Sequence, residues 1–100
     1  MIPVVVRYTA KPGAEESLSR LVAEHWPVLH EEGLTSDRPA VVIQVERHSG
    51  VFIEYYEWAS EEAVQHAHER PAVRAIWDAM EHICKVEPWD GSYLVPPSHA

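Results

Sequence analysis

Residues 40 to 58, AVVIQVERHSGVFIEYYEW, leave this chain few folding options. Two runs rich in Val, Ile, Tyr, Phe and Trp flank Ser49-Gly50, and glycine in a two-residue connection between such runs signals a β-hairpin. The predicted strands are Val41–His48 and Val51–Trp58. A two-residue turn pairs His48 with Val51, Glu46 with Ile53, Gln44 with Tyr55 and Val42 with Glu57. Val41, Ile43, Val45, Arg47, Phe52, Glu54, Tyr56 and Trp58 then share the other face. That face is mostly apolar, with a carboxylate in its middle. A connection one residue longer exchanges the faces of one strand and brings forward Gln44 and Glu46 instead.

The rest of the chain supplies partners for this hairpin. Ile2–Thr9 reads as a strand whose near-continuous apolar residues imply cover on both faces. After Lys11-Pro12-Gly13, residues 14 to 32 read as a helix, with Glu15 and Glu16 at its positive end and Gly33 as its stop. Ala14, Leu18, Leu21, Val22, His25 and Leu29 form its apolar stripe. Pro27 lies inside this helix and costs about 3 kcal/mol there, so a kink or two helical pieces are expected. Ser60 caps a short helix from Glu61 to His68. Arg70-Pro71 interrupts it, and a further helix runs from Pro71 to Cys84 with Val73, Ile76, Trp77, Met80 and Ile83 as its stripe. Val86–Trp89 and Tyr93–Val95, around Asp90-Gly91, supply the last strand.

The order is β-α-β-β-α-β with the second helix broken in two. This is the ferredoxin-like α+β arrangement, an antiparallel sheet with helices on one face. Residues 1–95 form one domain and 96–100 a tail. The uncovered face shows Val42, Gln44, Ile53 and Tyr55, too apolar for full exposure, and a homodimer through that face covers it most simply.

Eight Lys and Arg against sixteen Asp and Glu give a formal charge of -8. With no basic cluster to neutralise phosphates, nucleic acid and anionic membrane are excluded as partners. A single cysteine gives no internal disulfide, the first residues lack the make-up of a signal peptide, and no run is long enough to span a bilayer. The expected location is cytoplasmic. There is no phosphate loop, dinucleotide glycine pattern or G-x-S-x-G.

The chain resembles the dimeric α+β barrel superfamily, and within it the antibiotic biosynthesis monooxygenase-like branch. The features are strand one running into Lys11-Pro12-Gly13 and an acidic amphipathic helix, a hairpin ending in Glu57-Trp58-Ala59-Ser60, then Glu61-Glu62-Ala63, the break at His68-Glu69-Arg70-Pro71 and the helix Val73–Ile83. The likeness covers about residues 2 to 95. It implies a homodimer whose sheets face each other, and a pocket in each subunit between sheet and helices. It also implies a reaction without a cofactor, on an aromatic or polyketide-like molecule. By the same resemblance Glu54, Tyr56 and Trp58 approach the pocket from the sheet, and His25, His66 and Trp77 from the helices. Haem-degrading members carry Asn on strand one and His on the last helix. Val6-Arg7 and Trp77 stand there instead, which argues against haem degradation.

Two residues stand out on chemical grounds as well. His25 interrupts an apolar helix stripe, either as a hydrogen-bonded core residue or as an acid-base group. Glu54 either pairs with Arg47 or Arg7, or is desolvated and exchanges a proton, with His25 as partner if the first helix packs over the hairpin. Arg7 is an ion-pair partner for Glu46 or Glu54, or an anchor for an acidic substrate. His66 and His68 point about 200° apart on a helix and cannot chelate one metal, so no metal site is expected. Cys84, at a helix's negative end, reads as a core residue. Two functions remain open: an enzyme using His25 and Glu54 on a small molecule held by Tyr56, Trp58, Trp77, His66 or Arg7, and a non-catalytic homodimer binding a small apolar ligand or a partner protein.

Overall fold

The structure, a computed structural model, describes residues 1–47 and 49–89. The proposed pairing of His48, the Asp90-Gly91 turn, the extended piece Tyr93–Val95 and the tail 96–100 lie outside the described residues. The elements run β1 (Ile2–Ala10), α1 (Glu15–Glu31), β2 (Val41–Gln44), β3 (Val51–Trp58), α2 (Glu61–Ala67), α3 (Pro71–Ile83) and β4 (Cys84–Pro88). The four strands make one antiparallel sheet in the order β2-β3-β1-β4. This is the expected ferredoxin-like α+β architecture. Among the described residues no helix is long and apolar enough to cross a membrane.

Local chemistry explains the helix limits. The α1 stop is a Schellman closure: Gly33, at φ 76°, donates to the His30 carbonyl and Leu34 to that of Leu29. Leu29 and Leu34 are both buried in one cluster, the apolar contact that accompanies this motif. Ser60 Oγ accepts from the Ala63 amide and starts α2. Pro71 occupies the start of α3. Pro27 does not divide α1, which is one helix from Glu15 to Glu31. The proline is exposed, so its ring meets solvent, and packing of the buried Leu18, Val22, His25 and Leu29 holds the helix across it.

The hairpin departs from expectation. Val41 faces Tyr55, Val42 faces Glu54, Ile43 faces Ile53 and Gln44 faces Phe52. Relative to a two-residue turn, β2 has slid by three positions, and an odd shift exchanges its faces. Val42 and Gln44 therefore lie on the helix side with Phe52 and Glu54. Val41 and Ile43 join Ile53 and Tyr55 on the other, open side, where Val41 and Ile43 are exposed but Ile53, expected to be uncovered, is buried. The cause lies in the connection. Ser49 Oγ accepts from the amides of Glu46 and Val51, and Gly50, at φ 74°, is buried with its carbonyl accepting from the Ala10 amide. A Cβ on Gly50 would lie 2.8 Å from Glu15 Cγ. The loop is thus drawn onto β1 and α1, and a two-residue turn does not form.

Two apolar clusters fill the space between sheet and helices. One gathers Tyr8, Leu18, Val22, Phe52, Ile76, Met80 and Cys84. The other gathers Leu29, Leu34, Tyr56, Trp58, Ala63, Ala67 and Val73. Val6, Val28 and Trp77 pack against both. On β3 the residue between Phe52 of the first cluster and Tyr56 of the second is Glu54. On α1 the residue between Val22 and Leu29 is His25.

Candidate functional site

Between the two clusters runs a chain of polar side chains drawn from four elements, the buried Tyr8, Glu54 and His25 and the half-buried Trp77. Alternation along β3 puts Glu54 on the covered face, and helical spacing on α1 aims His25 at it. His25 Nδ1 lies 2.9 Å from Glu54 Oε1. Tyr8, on β1, donates its hydroxyl to the same oxygen at 2.6 Å. Trp77, on α3, donates its indole N–H to His25 Nε2 at 2.9 Å. His25 is 2 % exposed and Glu54 0 %, so water competes for neither. Glu54 Oε2 is buried without a hydrogen-bond partner among the described residues, because both donors converge on Oε1.

The donor and acceptor roles follow from chemistry. An indole nitrogen only donates. His25 Nε2 is therefore an acceptor, and the proton sits on Nδ1 and points at Glu54. The arrangement holds one imidazole tautomer with its basic nitrogen turned away from the carboxylate, as a carboxylate-oriented general base requires. Burial, then the neighbouring Glu54 charge and the hydrogen bond to it, push the Tyr8 phenol far above its ordinary value. Burial and Glu54 raise Tyr56 as well. Both phenols stay protonated at neutral pH.

A cleft of about 400 Å³ opens beside this chain, lined by Val6, Tyr8, His25, Tyr56, Trp77, Met80, Glu81, Cys84 and Val86. Tyr56 meets His25 edge-on at 5.4 Å. Burial raises the Cys84 thiol, and Cys84 donates to the Met80 carbonyl.

Of the residues singled out in the sequence, His25, Tyr56 and Trp77 line this cleft, and Glu54 lies directly behind it. Trp58 is buried behind Tyr56 and Trp77, edge-on to both, and does not line it. His66 is exposed on α2 and is not in the lining; His68, two residues on at the end of α2, contacts Trp77 at 5.0 Å instead. Arg7 is on the open face of the sheet. Its Nε donates to Glu87 Oε1 at 3.0 Å, so it serves neither Glu54 nor Glu46 and does not reach the cleft. Strand alternation requires this, since Arg7 and Tyr8 are adjacent. Tyr8 was missed as a site residue. The available signal was its place on the covered face of strand one, where a phenol needs a buried acceptor.

No family model matches this chain, and no curated protein matches it at the sequence level. Solved structures do match. SnoaB, a cofactor-independent oxygenase from Streptomyces nogalater, superposes with a TM-score of 0.72 at 14% identity, over 87% of this chain and 86% of that one. The chain has the fold of the antibiotic biosynthesis monooxygenase-like proteins. A structure described as an antibiotic biosynthesis monooxygenase matches with a TM-score of 0.68 at 18% identity, over 96% of this chain and all of that one. A conserved protein of unknown function from Bacteroides thetaiotaomicron reaches 0.73 at 9% identity, over 87% and 90%. At such identities the likeness is one of fold, and chemistry must be argued from the side chains.

Proposed function

We propose that this protein is an enzyme that removes a proton from a small aromatic or polyketide-like molecule and directs its reaction with dioxygen. The carrying observation is the buried Tyr8–Glu54–His25 chain at the wall of an apolar, aromatic-lined cleft. The fold it shares with a cofactor-independent oxygenase supports the reaction class.

In this reading the substrate displaces the Trp77 indole, and His25 Nε2 takes a proton from the enol O–H that an activated CH2 group forms on tautomerising. Glu54 holds the opposite N–H and stabilises the imidazolium that forms, and Tyr8 steadies the carboxylate. The carbanion passes one electron to dioxygen, and the resulting pair combines to form a C–O bond. His25 returns the proton to give a hydroperoxide. Loss of water leaves a carbonyl, so CH2 and O2 become C=O and H2O. Tyr56 and Trp77 flank the ring, and the apolar wall keeps the carbanion from water.

Anthrone is a suitable probe, since its CH2 group is acidified by two rings and a carbonyl and its enol tautomer carries the O–H that replaces the indole on His25. Oxygen uptake matched by anthraquinone formation is expected, falling about 100-fold or more in His25→Ala. Folded wild-type protein that leaves both anthrone and oxygen untouched would return the cleft to a ligand-binding role.

We also propose that the open sheet face pairs with a second copy. Val41 and Ile43 are 53% and 45% exposed on it. Light scattering that shows a monomer at micromolar concentration would refute the pairing.

A further inference from the structure

Among the described side chains that line the cleft, every nitrogen and nearly every donor is already committed within the protein. The Tyr8 hydroxyl donates to Glu54, His25 Nδ1 points at Glu54, and the Cys84 thiol donates to the Met80 carbonyl. The Trp77 indole donates to His25 Nε2. Only the Tyr56 hydroxyl remains as a donor of the lining without an acceptor among the described residues. What the cleft presents to a ligand is therefore mainly acceptor capacity: the His25 Nε2 lone pair once the indole leaves it, and the unused lone pairs of Tyr8. Glu81, exposed at the mouth, is an acceptor too, and no Lys or Arg lines the site.

Trp77 is placed to move. It is half-buried, with one hydrogen bond among the described residues, and its outer side rests on His68, itself exposed. A ligand that reaches His25 must displace the indole. One that brings its own donor restores the bond; one that does not leaves a buried acceptor unpaired.

We propose that the Trp77 indole guards His25 Nε2 and that this nitrogen selects the ligand, so that the cleft admits uncharged aromatic molecules carrying an O–H or N–H group able to replace the indole N–H on His25. This rests on the reading of the cleft as a ligand site, and it excludes carboxylated aromatics, which Glu81 repels and no cation receives. The indole also keeps the His25 base covered until such a ligand arrives.

Binding, rather than turnover, tests this, so a failure of the oxygenase reading leaves the outcome unaffected. The probes are 1-naphthol, its methyl ether and 1-naphthoate, titrated calorimetrically. Wild-type protein is expected to bind 1-naphthol about tenfold or more tighter than the ether, with naphthoate weakest. Trp77→Phe is expected to bind 1-naphthol and the ether both more tightly than wild type and by a similar factor, because for neither must the indole bond be broken first. Nitrogen-15 spectra of the wild-type protein should show His25 Nε2 unprotonated and hydrogen-bonded in the free state, still hydrogen-bonded with 1-naphthol, and without its hydrogen bond when saturated with the ether. Equal affinity for naphthol and ether, or a Trp77→Phe variant that weakens all three ligands alike, would overturn the proposal.

Discussion

Glu54 and Glu57 sit three positions apart on one strand and so face opposite sides of the sheet. Glu57, on the open side, accepts from Ser36 at 2.8 Å on one oxygen and from Tyr55 at 3.0 Å on the other. Those hydrogen bonds, Ser36 first, hold its carboxyl below the ordinary value. Glu54, on the covered side, receives both its donors on one oxygen and keeps the other buried without a partner among the described residues. A carboxylate placed for stability distributes its bonds. One that leaves an oxygen unsatisfied beside a cleft costs stability, and such groups persist where chemistry uses them. The two faces of this sheet thus differ in how they treat a carboxylate: the open one spreads its hydrogen bonds over both oxygens, and the covered one concentrates them on one oxygen beside the cleft.

The largest effect that could break this division is expected from Glu54→Ala. It strands the Tyr8 hydroxyl and the His25 N–H in the core, and unfolding by urea should show a loss of about 3 kcal/mol or more. Glu57→Ala should lose clearly less; equal losses would erase the contrast. Tyr8→Phe keeps the ring and removes one donor, for an expected loss of about 1 kcal/mol. Its alkaline behaviour sharpens the point. The folded phenol is raised above its ordinary 10.0, so its contribution is complete below that pH and drains away as pH rises beyond it. Tyr8→Phe should therefore flatten the alkaline limb of the stability curve.

On the open face, Ile43→Lys is expected to change protomer stability by no more than about 0.5 kcal/mol while lowering the particle mass seen by light scattering. An unchanged mass would remove the open face as an interface. The smallest effect belongs to acid. Glu57 and Glu87 are held below the ordinary 4.5, Glu87 chiefly by its hydrogen bond from Arg7, so their contributions are present above that pH and lost as pH falls through the folded values. A Glu57→Gln variant should show a shallower decline in stability on acidification than wild type, measured by thermal unfolding across that range.

His25 and Glu54 were legible because each is a polar residue where a period demands an apolar one. The period is local, and a single strand or helix displays it. Their meeting was conditional on α1 crossing the hairpin, which no local signal states. The β2 register was not legible. It depends on Gly50 being drawn against Ala10 and Glu15, residues some 40 positions away, and a three-residue slide costs a short edge strand little. Arg7 was placed on its proper face by alternation, yet its partner on β4 is 80 residues distant.

By itself the sequence determined the element types and the main helix limits: the stop at Gly33, the Ser60 cap, the Pro71 start, and the order that makes a ferredoxin-like sheet. These are decided within a few residues by backbone geometry and hydrogen bonding. Only the tertiary structure decided which nitrogen of His25 carries the proton. That follows from an indole donor on α3 and a carboxylate on β3 reaching one ring from opposite sides. Convergence of this kind is a property of packing, and it is where the candidate chemistry of this protein resides.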